Sequence, residues 1–240
     1  MAHHAASYLF GFELECLCHL GFAMGACMGA IAELTITPET STQTAEIASE
    51  TIWRLSVSQY HAMLQAGIID EDTQIELLEG ILVAKMAKNP PHRISTKLIR
   101  QALENITPEG WYVDSQEPIT LANSEPEPDV VIIRGKTTDY RDRHPAASDV
   151  VLVIEVSDAT LERDRTIKQR IYARAGIAIY WILNLRDRQL EVYTQLLNQA
   201  EADPKYQQCQ IFKEAESVSV CWQDGECDRE FGSITAQNLL

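Results

Sequence analysis

The chain has 240 residues, of which 45% are hydrophobic, so it is long enough to bury the core of one globular domain. Its formal charge of −15 argues against a protein that coats nucleic acid, because nonspecific affinity for phosphates comes from Lys and Arg. Residues 134–188 are less acidic than the rest, with 11 Lys and Arg against 8 Asp and Glu. That segment permits contact with nucleic acid but does not demonstrate it.

The first 50 residues predict an N-terminal extension and linker. The apolar segment from Tyr8 to Ala32 is interrupted by Glu13 and Glu15, and no Lys or Arg occurs before Arg54. Both facts disfavour a membrane span or a signal peptide, since acids are costly in a bilayer and these segments carry flanking positive charge. The triplet Ala30-Ile31-Ala32 resembles a cleavage site and keeps export open as a minor alternative.

The six cysteines form no Cys-x-x-Cys pair, which favours free thiols in a reducing cytoplasm. Pairing between the two ends of the chain stays open. We therefore expect a cytoplasmic protein without a membrane anchor. Its organisation is an extension over residues 1–50, a folded domain over 51–196, and a polar C-terminal segment over 197–240 that contains further edge strands.

Helical and strand patterns alternate from Trp53 onward. In chain order they predict a capped helix over Val57–Ala66, a hairpin of Ile75–Leu78 and Ile81–Ala84, an amphipathic helix from Ile94 to Ile106, a strand region from Gly110 to Leu121, strands over Val130–Ile133 and Val150–Val156, a helix over Leu161–Ala175 ended by Gly176, and strands over Ile177–Leu183, Leu190–Thr194, Gln210–Phe212 and Val218–Trp222. The unbroken apolar strands are typical of strands that are covered on both faces, as at the centre of an α/β sheet.

The strand Val150–Val156 carries a single carboxylate, Glu155, in an otherwise apolar run. A buried carboxylate is costly unless a cation, a metal or hydrogen bonds compensate it. A second acid, Asp129, follows Pro128 at the start of the preceding apolar strand. Carboxylates are the oxygen ligands that Mg²⁺ prefers, and a bound divalent cation activates water for phosphodiester hydrolysis. The two acids therefore predict a divalent-metal site.

The helix after the Glu155 strand supplies a candidate ammonium, Lys168, one turn after Asp164. An ammonium beside such a site orients water or stabilises the transition state. Each residue also has a structural interpretation. Asp129 can close a turn, Glu155 can pair with an arginine, and Asp164 with Lys168 can form an ordinary exposed ion pair. Three arginines of the same helix could follow a DNA backbone: Arg163, Arg170 and Arg174.

These residues resemble the PD-(D/E)XK nuclease superfamily, with Pro128-Asp129 as its first motif and Glu155 as its second. More closely, the chain from Trp53 to Leu196 resembles the Uma-type family of restriction-endonuclease-like proteins. The strings that carry this resemblance are Ile75-Glu76-Leu77-Leu78-Glu79-Gly80, Pro90-Pro91-His92, Glu127-Pro128-Asp129-Val130-Val131, Val153-Ile154-Glu155-Val156-Ser157, Asp164-Arg165-Thr166-Ile167-Lys168, Tyr172-Ala173-Arg174-Ala175-Gly176 and Tyr180-Trp181-Ile182-Leu183-Asn184.

The resemblance implies a restriction-endonuclease-like core, in which helices flank a central mixed sheet, and a homodimer that hydrolyses DNA. It implies Mg²⁺ or Mn²⁺ bound by Asp129, Glu155 and the carbonyl of Val156. Ser157 stands where the superfamily has its lysine, so the resemblance transfers that role to Lys168. Supporting roles are implied for Glu76, His92 and Asp164.

Two other functions stay open from the sequence. A catalytically silent module that keeps the nuclease fold for binding or regulation would agree with the charge of −15 and the missing local lysine. A glycosidase would also use paired acids. The scarcity of aromatic residues near the two acids in sequence weighs against sugar stacking.

Overall fold

The computed structural model describes residues 52–70, 73–197, 204–224 and 227–240. The predicted extension and linker, including the apolar segment over residues 8–32, lie outside these ranges. Within the described ranges, no helix has both the length and the apolar character needed to cross a bilayer.

Ten strands and four α-helical segments make up the described part. The strands are β1 (Ile75–Leu78), β2 (Ile81–Ala84), β3 (Trp111–Asp114), β4 (Val130–Arg134), β5 (Val150–Ser157), β6 (Ile179–Asn184), β7 (Gln189–Leu196), β8 (Tyr206–Lys213), β9 (Ser217–Asp224) and β10 (Cys227–Thr235). The helices are α1 (Val57–Gln65), α2 (Pro90–Glu104), α3 (Leu161–Arg163) and α4 (Gln169–Ala175), with 3₁₀ turns at Thr137–Tyr140, Ala147–Asp149 and Ala236–Asn238.

The central sheet has six strands in the order β3-β4-β5-β6-β7-β8. The β5–β6 pair is parallel and the other four pairs are antiparallel, so the sheet is mixed. All eight residues of β5 are buried, as expected for a central strand covered on both faces. The predicted α/β fold with a central mixed sheet and flanking helices is confirmed.

Each face of the sheet has its own apolar core. One core combines Ile99 and Leu103 of α2 with Trp222 and Ile234 of the β9–β10 hairpin, against the side of β5 that carries Ile154. The other core contains residues of α3, α4 and β1, including Leu161, Ile171, Tyr172 and Leu78. Glu155 lies on this second side, because successive strand residues point to opposite faces.

The helix predicted over 161–175 is interrupted. After α3 the chain forms a π-helical segment over Asp164–Lys168, and α4 continues from Gln169 to Gly176, whose φ of 82° ends the helix in the left-handed region. A π turn contains an extra residue relative to an α turn, so it changes which side chains share a face. Two of the buried side chains of the π segment, Asp164 and Lys168, belong to the candidate site.

One expectation for the strands needs correction. The strand region predicted from Gly110 to Leu121 ends at Asp114, because Gln116 takes a left-handed φ of 63° and Pro118 has no N–H for a ladder. The predicted C-terminal segment after residue 196 contributes β8, which pairs with β7 at the edge of the central sheet. Strand β10 was not predicted at all.

Candidate metal centre

Asp129 and Glu155 lie at neighbouring positions on two paired strands. Val130 of β4 pairs with Ile154 of β5, so Asp129, the residue before β4, lies beside Glu155. The Val156 N–H donates a hydrogen bond of 2.9 Å to Asp129 Oδ2. Backbone pairing therefore fixes the positions of the two acids that the sequence singled out.

Glu155 is 3% exposed and has the cationic partner that its burial demands. Its Oε1 accepts hydrogen bonds from Lys168 Nζ at 2.9 Å and from the Tyr172 hydroxyl at 2.6 Å. Burial raises the pKa of Glu155 to about 8, against the opposing charge of Lys168. The neighbouring carboxylates of Asp164, Asp129 and Glu76 add to the rise. The alternative in which Glu155 pairs with an arginine is wrong.

Lys168 is 4% exposed and lies between two carboxylates. Its Nζ is 2.9 Å from Glu155 Oε1 and 3.3 Å from Glu76 Oε2. Burial alone would lower the pKa of Lys168, but the charges of Glu155, Glu76 and Asp164 outweigh it and raise the pKa above its ordinary value. Lys168 is therefore an ammonium, and the interpretation of Asp164 and Lys168 as an exposed pair is wrong.

Asp164 anchors the π segment to the end of β5. Its Oδ2 accepts hydrogen bonds from the Ser157 hydroxyl at 2.7 Å and from the Thr160 hydroxyl at 2.6 Å. The buried Tyr180 hydroxyl donates to the Asp164 carbonyl at 3.0 Å. Ser157, two residues after Glu155, therefore holds the segment that carries Lys168.

Glu76 and His92, which the resemblance placed on this side, lie at the site. Glu76 of β1 is 2% exposed, and its Oε1 is 3.8 Å from Arg163 Nη2. His92, in the first turn of α2, has its Nε2 3.1 Å from Asp129 Oδ2. These contacts orient the carboxylate of Asp129 and extend the acidic cluster to Glu76.

The cluster borders a cavity of about 80 Å³ lined by Glu76, His92, Asp129, Glu155, Asp164 and Lys168, with Lys85, Lys88 and Arg163 among the residues around them. A water molecule needs about 10–15 Å³ of such space, so an ion and several waters fit. The hydrogen bonds from Lys168 and Tyr172 to Glu155 both use Oε1, and the contacts of Val156 and His92 with Asp129 both use Oδ2. The second oxygens, Glu155 Oε2 and Asp129 Oδ1, take no part in these four contacts.

A metal at this site would have few protein ligands. In the described ranges, no three His, Cys, Asp or Glu side chains are arranged to hold a metal ion. Mg²⁺ is nevertheless commonly bound by one or two carboxylates, with water and substrate as its other ligands. The residues present fit that coordination, with Asp129 and Glu155 as the carboxylates.

Residues 57–222 match the family Uma2, described as "Putative restriction endonuclease". The chain belongs to the Uma2 family. All of the candidate site residues lie inside the matched range, which also extends beyond residue 196 into β9.

One solved structure similar to this Uma2 chain is the crystal structure of a putative nuclease belonging to DUF820 from Anabaena variabilis. The two share 11% sequence identity, and the match covers 73% of this chain and 94% of that chain with a TM-score of 0.49. None of the curated proteins compared matches the chain.

Two contacts of this Uma2 site were not predicted. The hydroxyl of Tyr172 binds Glu155, and its position four residues after Lys168 on one helix face was the available signal. Glu79, in the β1–β2 turn, binds Arg170 through both carboxylate oxygens and also binds Arg174. Two of the three arginines that were predicted to follow a DNA backbone, Arg170 and Arg174, are therefore paired with the β1–β2 hairpin.

The π segment is also fixed from its far side. Glu191 of β7 is 2% exposed and accepts hydrogen bonds from Arg165, Asn184, Gln189 and Tyr193. Burial raises the pKa of Glu191, but these hydrogen bonds, led by that of Arg165, outweigh it and bring the pKa down to about 2. Arg165 belongs to the same segment as Lys168, so this network stabilises the helix that carries the ammonium.

We predict that Glu191→Gln lowers the free energy of unfolding at pH 7 by about 3 kcal/mol, because each unit of pKa shift is worth about 1.4 kcal/mol. The pKa of Glu191 is depressed in the folded state, so its contribution is present above pH ~4.5 and is lost as the pH falls toward 2. Urea denaturation at pH 7 and pH 3 measures the free energy of unfolding of the wild type and of Glu191→Gln. A difference that is equal at the two pH values would contradict the prediction.

Proposed function

We propose that this protein is a divalent-metal-dependent endonuclease that hydrolyses DNA phosphodiester bonds. Its membership of the Uma2 family supports this proposal at the level of a nuclease-type hydrolase. The observation that carries the proposal is the buried ammonium of Lys168, 2.9 Å from Glu155 in the cavity that Asp129 also lines. A paired carboxylate set with an adjacent cation is the equipment that phosphodiester hydrolysis requires.

In the proposed site, Asp129 and Glu155, with the carbonyl of Val156, would hold Mg²⁺ or Mn²⁺. When bound, such a cation makes water more acidic and neutralises charge that develops on the phosphate. Lys168 orients the attacking water and stabilises negative charge in the transition state. His92, 3.1 Å from Asp129, holds that carboxylate in place.

Arg163 is suited to bind a phosphate of the substrate. It lines the cavity, and its buried Nε has no hydrogen-bond partner among the described residues. Its contact with the Glu76 carboxylate is long, at 3.8 Å. Guanidinium groups bind phosphate oxygens with strong, charge-assisted hydrogen bonds. Of the three arginines, Arg163 is therefore the one that the cavity lining favours for contact with substrate.

We expect Arg163→Met to raise KM for DNA about tenfold or more, since a hydrogen bond to a charged group is worth about 1.5–3 kcal/mol. The matched control is Arg174→Met, because Arg174 bonds to Glu79 outside the cavity. Steady-state cleavage kinetics measure KM for each variant, and thermal unfolding shows whether each variant is folded. An equal rise in KM for both variants would remove Arg163 from the substrate site.

The alternative proposal is a catalytically silent module that uses the nuclease fold for binding or regulation. It is favoured by the absence, in the described part of the chain, of a three-residue metal cluster. A glycosidase is less well supported. None of the described residues that line the cavity is Phe, Tyr or Trp, the side chains on which sugars stack.

Incubation of supercoiled plasmid with the purified protein and Mg²⁺ or Mn²⁺ tests the proposal. Nicking by the wild type that is lost in Glu155→Ala and Lys168→Ala, and retained in Arg188→Ala, would support it. Arg188 is the control because it pairs with Glu214 in an exposed contact. No cleavage by wild type with either metal would favour the silent module. Equal cleavage by all variants would mean a contaminant or the wrong residues.

The resemblance also implied a homodimer, and the cysteine pattern implied a cytoplasmic protein. Both stay predictions. Sedimentation equilibrium of the purified chain measures the first, with a mass of about twice the 27.0 kDa of one chain as the expected result.

A further inference from the structure

Tyr172 lies behind the candidate metal centre rather than in it. Its side chain is fully buried, and it is not among the described residues that line the cavity beside Glu155. Its ring packs in the apolar core on this side of the sheet, with its centroid 5.1 Å from that of Tyr180. Tyr172 therefore does not touch a substrate or an ion in the cavity, and any effect that it has on the site passes through a residue that it contacts.

The contact between Tyr172 and the site is made with one oxygen of Glu155. The Tyr172 hydroxyl donates to Glu155 Oε1 at 2.6 Å, and Lys168 Nζ donates to the same oxygen at 2.9 Å. A phenol keeps its proton at neutral pH, so the hydroxyl is the donor and the carboxylate is the acceptor. Tyr172 follows Lys168 by four residues, so the two side chains lie on one helix face and reach one oxygen.

The second oxygen of Glu155 is open to the cavity. Both hydrogen bonds to Glu155 within the described part of the chain use Oε1, so Oε2 has no partner there. The buried side-chain atoms without a partner in the same ranges are Arg163 Nε and the Nε1 atoms of Trp181 and Trp222. Oε2 is not one of them, so it has surface that water can reach, and Glu155 lines the cavity. By the same argument Asp129 Oδ1 is open, because Val156 and His92 both contact Oδ2.

We propose that Tyr172 is a positioning residue, which holds Glu155 so that Oε2 faces the cation in the cavity. The hydroxyl and the Lys168 ammonium together fix Oε1, and Oε2 is then directed toward the ion that Asp129 also binds. Without the hydroxyl, Oε1 keeps a single donor, and the carboxylate can turn about its last side-chain bond. The inference rests on the proposed metal-dependent function. Groups that orient a metal ligand contribute about 10–100-fold to metal affinity or activity.

Tyr172→Phe tests the inference, because it removes only the hydroxyl and leaves the ring in the core. The matched control is Tyr206→Phe, since the Tyr206 hydroxyl is also buried but donates to the carbonyl of Ile177. Mn²⁺ titration followed by electron paramagnetic resonance measures affinity, and thermal unfolding shows whether each variant is folded. We expect both variants to fold. Tyr172→Phe is expected to bind Mn²⁺ about tenfold or more weakly than the wild type, and Tyr206→Phe like the wild type.

A double variant separates positioning from a general loosening of the fold. Because Tyr172 acts through Glu155, adding Tyr172→Phe to Glu155→Gln is expected to weaken Mn²⁺ binding by less than about twofold beyond Glu155→Gln alone.

Wild-type affinity in Tyr172→Phe would overturn the inference and leave the metal site standing. Equal weakening by Tyr172→Phe and Tyr206→Phe, or full additivity with Glu155→Gln, would overturn it in favour of a structural role, as would loss of the folded state in Tyr172→Phe. Absence of Mn²⁺ binding by the folded wild type would overturn both this inference and the proposed function.

Discussion

Glu155→Gln is expected to lower the rate of DNA cleavage by about 10³-fold or more, while the protein stays folded. The amide keeps the shape of the side chain but cannot supply a charged metal ligand. The fold survives because Lys168 retains Glu76 at 3.3 Å, so its ammonium is not left without a partner. Burial already makes the charged form of Glu155 unfavourable, as its pKa of about 8 indicates.

Plasmid cleavage and thermal unfolding measure the two effects of Glu155→Gln separately. The matched control is Glu214→Gln, which removes a carboxylate from an exposed pair with Arg188. Cleavage by Glu155→Gln within about tenfold of the wild type would exclude Glu155 as a required metal ligand. Loss of the folded state in this variant would show instead that its main role is structural.

Lys168→Met is expected to destabilise the protein by about 3–5 kcal/mol and to abolish cleavage, because it leaves buried acids uncompensated. Glu155 and Glu76 both lose their ammonium, and both are nearly inaccessible to solvent. Loss of the ammonium raises the pKa of Glu155 further above about 8, so Glu155 must take up a proton in the folded state, and adding Glu155→Gln removes the cost of that protonation. The double variant is therefore expected to be more stable than Lys168→Met, yet still inactive.

Urea denaturation of the four proteins in this double-mutant cycle measures the coupling between Lys168 and Glu155, and plasmid cleavage measures activity. A coupling near zero would mean that the contact of 2.9 Å contributes nothing to the folded state. Cleavage by the double variant would contradict a catalytic role for Lys168.

The sheet and the two acids could be predicted because their signals are local. Apolar runs mark β4 and β5, and a lone carboxylate in such a run, Glu155, demands a partner whatever the rest of the fold. Asp129 at the start of the neighbouring strand follows from the same reasoning. The residues also nominated Lys168 as the candidate ammonium but left an exposed pair with Asp164 as the alternative, and the family resemblance favoured the ammonium.

Other features could not be predicted, because they depend on contacts between residues far apart in sequence. The π segment over Asp164–Lys168 is held by Tyr180 and, through Arg165, by Glu191 of β7. Likewise, the bonds from Arg170 to Glu79 join residues 91 positions apart. The helical spacing of residues contains no information about such distant partners. It therefore predicted a regular helix over 161–175 with three arginines available to a DNA backbone.

Strand β10 could not be predicted for a different reason. Its sequence, Cys227–Thr235, is largely polar and lacks the apolar alternation that marks a half-buried strand. Pairing with β9 makes it a strand, and a bulge between Glu230 and Gly232 disrupts the alternation further. Gly232 lies against Ile106 of the α2 C-terminal loop, where an added Cβ would come within 2.9 Å of a side-chain atom.

The claim that Asp129 and Glu155 form a divalent-metal site is tested most directly by Mn²⁺ titration followed by electron paramagnetic resonance. The wild type is expected to bind Mn²⁺ saturably, and Asp129→Asn and Glu155→Gln are each expected to weaken binding at least about tenfold. Glu214→Gln should bind like the wild type. Absence of Mn²⁺ binding by the folded wild type, or equal binding by all four proteins, would contradict the claim.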